Sequence, residues 1–170
     1  ALLASVIIDT AAGNFSSAQT SLDGVLGRQP NHATALYIYS ELELARNRFD
    51  AALSRAQQAY ELDPLSPWIN INLAIVHFWR SEYQPALEAV QNAIRIDNNY
   101  TWAYVWQAKI FHRQGQLSAA ITSMLQSADI DSASVVNSAY TGLLYMEIGD
   151  EEQAEYWFRH TASLLGDTPQ

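Results

Sequence analysis

Small apolar residues punctuate this chain at one fixed 34-residue interval, at Ala18, Ala52, Ala86, Ala120 and Ala154. Other columns keep the same register with different chemistry, so the abundance of alanine does not explain the period. Three positions before each alanine stand Phe15, Phe49, Tyr83 and Leu117, large apolar groups suited to an inter-helix contact, and Glu151 breaks that column. Just ahead of them run Gly13, Asn47, Ser81, Gly115 and Gly149. Gly or Asn there takes the left-handed conformation that closes a helix C-terminus. Ser40, Ala74, Ala108 and Gly142 form one small-residue column and Ala59, Ala93, Ser127 and Thr161 another, which lets two antiparallel helices approach closely. Between hairpins, the pairs Gln29 and Pro30, Asp63 and Pro64, Asp97 and Asn98, and Asp131 and Ser132 turn the chain. The pattern predicts an all-α fold, a right-handed α-solenoid of antiparallel helix hairpins, each burying an apolar face against its neighbours.

The most complete unit reads Leu36, Ser40, Phe49, Ala52, Ala56, Ala59, Leu62, Asp63 and Pro64. It resembles the tetratricopeptide repeat family, and the resemblance runs over the whole chain. Five units result: residues 1–32, 33–66, 67–100, 101–134, and 135–170 with a short tail. The last helix is expected over residues 152–165, followed by the polar residues Gly166, Asp167, Thr168, Pro169 and Gln170. Ala1 enters the register two residues late, which is the expectation for a piece of a longer polypeptide, and the outward face of the last helix is expected to be covered by another segment or a second copy.

Composition narrows the partner. A chain that is 49% hydrophobic and 11% aromatic has ample material for a stacked core. The net charge of −9, with Lys109 as the sole lysine, argues against direct contact with nucleic acid, because that contact relies on Lys and Arg neutralising phosphates. No run of about 18 apolar residues spans a membrane, and no charged-then-apolar leader is visible. Cysteine is absent, which leaves cytoplasm and periplasm equally open.

Catalysis finds no carrier in the sequence. It holds no Gly-rich phosphate loop, HExxH zinc pattern, nucleophile-elbow serine or metal-spaced histidine pair, so neither metal nor cofactor is expected. His32, His77, His112 and His160 read first as packed, hydrogen-bonded groups. His77 and His112 lie at nearly equivalent places in adjacent repeats, and an enzyme pairing either with a carboxylate is the minor alternative. Glu41, Glu43, Glu82 and Glu88 read as solvated helix faces. Asn14-Phe15-Ser16 and Asn99-Tyr100-Thr101 match the glycosylation acceptor pattern, a short motif that arises easily by chance.

The unusual surface belongs to the first helices of the third and fourth repeats. Ser66 and Pro67 predict a helix start, with Ser as cap and Pro in the first turn. From there Trp68, Ile71, Asn72, Ile75, Phe78 and Trp79 recur at helical spacing. Trp102, Val105, Trp106, Lys109, His112 and Arg113 repeat those columns one unit later. Leu73, Ala74 and His77, and Tyr104, Ala108 and Phe111, are the expected core of the same helices. A helix apolar on more than one face must be covered on each. Two readings share the aromatic stripe: packing between tightly wound repeats, or a binding groove. Repeats two and five contribute Thr34, Tyr37, Ile38 and Glu41, and Val136, Ala139, Tyr140 and Leu143, to the same columns.

The family resemblance implies that these columns line a concave groove. It further implies a non-catalytic module binding a protein or peptide, with stacked aromatic anchors and with Lys109 and Arg113 as cationic contacts. Some family members grip a terminal carboxylate with Lys, Arg and Asn. Asn72 matches the Asn, whereas Trp102 and Trp106 stand where basic residues are expected. Self-association into a homodimer and small-ligand sensing by the same groove are the alternatives. The stretch from Glu61 through Leu62, Asp63, Pro64, Leu65, Ser66, Pro67, Trp68, Ile69 and Asn70, followed by Asn72 and Leu73, is similar to the repeat regions of bacterial CadC-like winged-helix transcription regulators. That similarity implies a sensory or interaction domain of such a regulator, with DNA contact left to a separate basic module.

Overall fold

A computed structural model of the chain describes residues 6, 8–10 and 12–166. The first residues of repeat one, and the tail beyond Gly166, lie outside the described residues. Val6 and residues 8–10 are helical. They are followed by α1 (Phe15–Arg28), α2 (Ala33–Ala45), α3 (Phe49–Leu62), α4 (Pro67–Trp79), α5 (Tyr83–Ile96), α6 (Thr101–Arg113), α7 (Leu117–Ile130), α8 (Val135–Glu147) and α9 (Glu151–Leu165). The described residues are entirely helix and turn, as expected of an α-solenoid built from helix hairpins.

The helix-stop column is the clearest link between sequence and backbone. Gly13, Asn47, Ser81, Gly115 and Gly149 all have positive φ, between 58° and 80°. At each the chain closes the preceding helix in the same way. The Asn47 N–H donates to the Leu44 carbonyl and the Arg48 N–H to that of Glu43, both at 2.9 Å. The Ser81 and Glu82 amides do the same with Phe78 and His77. Two otherwise orphaned carbonyls per helix are thereby satisfied. Helix starts are less uniform. Ser66 Oγ accepts from the Ile69 N–H with Pro67 in the first turn, Ser134 Oγ accepts from Asn137, and Asp150 from Gln153. Asp97 and Asp131 fold their carboxylates back onto the amides of Asn99 and Ala133, fixing two of the inter-hairpin turns.

The helices gather into two compact units, divided between Ile96 and Asp97. In the first, α2 pairs with α3 and α4 with α5, while α4 also packs on α3 and α2. Ala18, Leu22, Ala35, Ile38, Tyr39 and Leu42 form one cluster. Leu36, Ala59 and Ile69 form a second, and Ala52, Ala56 and Val76 a third. In the second unit α6 pairs with α7, α8 with α9, and α8 packs on α7 around Val105, Ala108, Ala120, Ile121, Met124 and Leu144. The five alanines of the defining column are all buried, as are Ser40, Ala74, Ala108 and Gly142. Among the described residues no helix is long and apolar enough to cross a membrane.

Candidate functional site

In the first unit the candidate residues stand on α2 and α4. Tyr37 and Trp68 meet edge to face with ring centroids 4.7 Å apart. The Tyr37 hydroxyl donates to Glu41 Oε1 at 2.8 Å. Burial pushes the Glu41 carboxyl above its ordinary pKa, and the Tyr37 hydrogen bond offsets part of that shift. Ile71 and Asn72 lie beneath the surface, Ile75 and Phe78 are half-buried, and Trp79 is 55% exposed. Phe78 packs edge-on against Trp79, centroids 5.6 Å apart, and also touches Tyr83.

Two asparagines of α4 divide sharply in role. Asn70 donates through Nδ2 to the Pro64 and Ser66 carbonyls, both at 2.9 Å, and so ties the inter-hairpin turn to the helix. Asn72 is 1% exposed, and neither Oδ1 nor Nδ2 has a hydrogen-bond partner in the protein. An amide held that way is costly, so it has either a bound water or a functional reason to persist.

In the second unit the candidates stand on α6. Trp102 is 55% exposed, Val105 is buried and Trp106 half-buried. Lys109 Nζ sits 4.3 Å from the Trp106 ring centroid, a cation–π contact. Partial burial lowers the pKa of that ammonium. Arg113 is exposed. His112 is clasped on both sides by α8: Nδ1 lies 2.8 Å from the Tyr140 hydroxyl and Nε2 2.8 Å from Glu147 Oε2. A neutral ring with its proton on Nε2 satisfies both contacts. The Tyr140 phenol is pushed up to about 12, mainly by burial and further by Glu147. It therefore stays protonated at neutral pH and is a poor nucleophile.

His77 is likewise held, with Nδ1 2.7 Å from Glu82 Oε2. Arg80 completes that cluster, donating to Glu82 and to Asp50 across the hairpin junction. The hydrogen bond from Arg80 and then that from His77 hold the Glu82 carboxyl below its ordinary pKa. Both histidines thus pair with carboxylates, and both pairs join helices or their ends. Among the described residues no cluster of three or more His, Asp and Glu side chains could hold a metal ion.

The expected core residues split. Ala74 and Ala108 are fully covered, whereas Leu73, His77, Tyr104 and Phe111 are half-buried. The sequence reading left out exposed apolar residues of the last hairpin, Met146, Ile148 and Tyr156 among them. Val136, Leu143 and Met146 of α8 are all more than half exposed. Met146 occupies the column of His112 one unit later, so extending the register would have found it.

A family model of the tetratricopeptide repeat matches residues 10–67 and 42–101. The chain belongs to the tetratricopeptide repeat family. Solved structures agree on the fold. TTC0263, a tetratricopeptide repeat protein of Thermus thermophilus, aligns with a TM-score of 0.85 at 16% identity, covering 98% of this chain and 91% of its own. PilW, a type IV pilus biogenesis factor, gives 0.86 at 18% identity over 99% of this chain and 78% of its own. YrrB, described as having an unusual peptide-binding site, gives 0.67 at 16% identity over 98% and 86%. Tetratricopeptide repeat proteins are typically non-enzymatic scaffolds for protein–protein interaction, and this fold supplies such a scaffold.

Proposed function

We propose that this tetratricopeptide repeat module captures a peptide or regulatory protein partner on the aromatic faces of its first helices. The observation that carries the reading is the exposure of Trp79 and Trp102, two rigid indoles more than half open to solvent on otherwise well-packed helices. Large amphipathic rings are costly to leave in water and typical of interaction hot spots. Lys109, held over Trp106, adds a cation beside the second of these faces. YrrB, a structural relative, is itself described as carrying a peptide-binding site. Selection from a displayed peptide library, followed by tryptophan fluorescence titration, tests the reading. Trp79→Ala and Trp102→Ala should weaken binding of the selected peptide while leaving the melting temperature in place. Loss of binding that appears only with unfolding overturns it.

The exposed Val136, Leu143 and Met146 favour a second reading, self-association through apolar side chains. A net charge of −9 opposes it, since two copies repel at long range. Light scattering that shows mass rising with concentration would establish the homodimer. Small-ligand sensing by the same faces is a variant of the first reading, decided by whether a selected peptide binds at all. The placement of this module in a CadC-like regulator rests on residues 61–73. There Ser66, Pro67 and Asn70 already have local work in capping and pinning α4.

A further inference from the structure

The turn from α2 to α3 and the end of α4 border an open trough of about 710 Å³, lined by Arg48, Phe49 and Asp50 from the first and by Trp79 and Arg80 from the second. We infer that this trough reads a side-chain carboxylate of the partner peptide, an Asp or Glu set beside a large apolar residue, with Arg48 as the group that selects it. This specificity rests on the reading that Trp79 anchors a peptide, and it adds what that peptide carries at that point.

The three arginines at this end of the first unit differ in what they are committed to. Arg46 donates through Nη1 to Gln19 Oε1 at 2.9 Å and lies over the Phe15 ring. Arg80 is occupied on every side, by Glu82 through Nε and Nη2 and by Asp50 through Nη1. Arg48 has only the Glu43 carboxylate, 3.6 Å away, and its side chain is 61% exposed. One repeat later the same contact is closed. Glu82 takes the column of Arg48 and His77 that of Glu43, and there the two approach to 2.7 Å while Arg80 holds the other carboxylate oxygen. In repeat two the signs are exchanged, and the buried Glu43 is shared with Arg46, so Arg48 keeps donors open toward solvent.

The charge of the trough identifies the occupant further. Asp50 is the carboxylate among its lining residues and is held by Arg80, which leaves Arg48 as the uncommitted charge. A guanidinium offers a carboxylate two parallel N–H groups, and the pair strengthens where an apolar surface excludes water from it. Trp79 supplies that surface. Its column holds Ala45 one repeat earlier, its indole is more than half exposed, and the half-buried Phe49 adds a second apolar wall. A net charge of −9 repels a partner that is acidic throughout, which favours one carboxylate among apolar residues over an acidic run. The trough is open rather than enclosed, so it suits a side chain of a passing peptide better than a chain terminus.

Random decapeptides displayed with their C-termini fused to the carrier are selected in parallel on the whole natural chain and on Arg48→Glu. The natural chain should enrich Asp or Glu next to an aromatic or large aliphatic residue. The variant should enrich Lys or Arg at that place instead, a reversal that general destabilisation does not produce. The best acidic peptide, synthesised with an amidated C-terminus and a fluorescein label, is then titrated by fluorescence anisotropy. Arg48→Gln and Trp79→Ala should each weaken its binding about tenfold or more. Asp50→Asn should strengthen it, because a competing carboxylate is gone. Arg95→Gln, an exposed arginine of α5 outside the trough, should change nothing. Circular dichroism melts check that each variant folds. Selected peptides without an acidic residue, binding indifferent to Arg48→Glu and Arg48→Gln in folded chain, or weakening by Asp50→Asn would each overturn the inference and leave the aromatic anchoring standing. Binding lost on amidation and regained by the free acid would overturn it too, assigning the trough to a chain terminus. If no peptide is selected at all, the aromatic anchoring falls and this specificity falls with it.

Discussion

A Cβ built on Gly142 would lie 2.7 Å from Cε1 of Phe158, closer than any ordinary carbon contact. The α8–α9 hairpin thus closes by fitting a phenyl ring into the space that a missing methyl leaves. The corresponding pairs in earlier repeats trade volume in the same sense: Ser40 with Ala56, Ala74 with Val90, and Ala108 with Met124. Gly142→Ala gains up to about 1 kcal/mol in helix propensity but overpacks the interface at a cost of about 1–3 kcal/mol. The expected result is a net loss of stability, measured as a lower urea midpoint. Adding Phe158→Leu should recover part of it, because the shorter side chain vacates the contested space.

Ser81 holds φ at +62° at a position where three of the five repeats use glycine. A non-glycine residue in the left-handed region is strained by roughly 1–2 kcal/mol. Ser81→Gly should raise stability by about 0.5–1 kcal/mol, the strain relief being partly offset by the greater freedom of glycine in the unfolded chain. A shifted urea midpoint at constant slope is the expected signature. Gly115→Ala at the matching position should move the midpoint the opposite way.

Asn70 and Asn72 offer a controlled comparison within one helix. Replacing Asn70 with Leu removes two hydrogen bonds that pin the turn at Pro64 and Ser66; the Ser66 carbonyl keeps the backbone N–H of residue 70, while the Pro64 carbonyl loses its side-chain donor. A loss of about 2–3 kcal/mol follows from two such bonds. Asn72→Leu removes an amide that has no protein partner, and it should leave stability unchanged or raise it by about 1–3 kcal/mol. Thermal melts of the two variants side by side decide the matter. A destabilised Asn72→Leu would mean that bound water or a ligand already satisfies that amide.

The fold was legible because each repeat solves the same packing problem with the same residue types. The alanine column is buried and the helix-stop column is left-handed throughout, both as the 34-residue register requires. The surface was less legible. Ile71, Asn72 and Val105 share helical columns with exposed tryptophans yet lie buried, since neighbouring helices cover part of the same stripe. Periodicity tells which residues share a face but not how far a neighbour extends over it. Ion pairs that join residues of different helices, such as Arg80 with Asp50 and His112 with Glu147, leave no periodic trace. Exposed Met146 stands in the column of His112, so the register reaches its position, but the column does not tell how far it is covered.

Glu41 gives the molecule a pH dependence whose sign follows from burial. Its folded pKa is raised, with desolvation the main cause, so the protonated carboxyl is the better-accommodated form. The contribution to stability is fully present below the unfolded value of about 4.3 and is lost as pH rises through the folded value. Glu41→Gln carries no such titration. The stability difference between the variant and the natural chain should therefore shift in favour of the variant as pH climbs across the acidic range. Glu82 has the opposite sign: its folded pKa is lowered, so its contribution is present above the unfolded value and lost as pH falls through the folded one. Urea midpoints measured from pH 3 to pH 7 on Glu41→Gln and Glu82→Gln separate the two, and parallel profiles would contradict the assignment.

Trp102 and Trp106 differ by one helical turn and by their surroundings, which separates binding from folding. Trp102 is more than half exposed, so Trp102→Ala should change stability by no more than about 0.5 kcal/mol. Trp106 is half-buried and carries Lys109 across its ring, so Trp106→Ala should lower stability by more than that, through lost contacts and a lost cation–π interaction. Burial also depresses the Lys109 pKa, which means that removing the ring rehydrates the ammonium and returns part of the cost. If a partner uses this face, the peptide selected by display should lose affinity with both variants, yet only Trp106→Ala should shift the melt. Acrylamide quenching supplies the independent check: Trp102→Ala should diminish the readily quenched component of the fluorescence, which Trp79 shares, and bound peptide should protect that component in the natural chain. Quenching unaffected by saturating peptide would place the contact elsewhere.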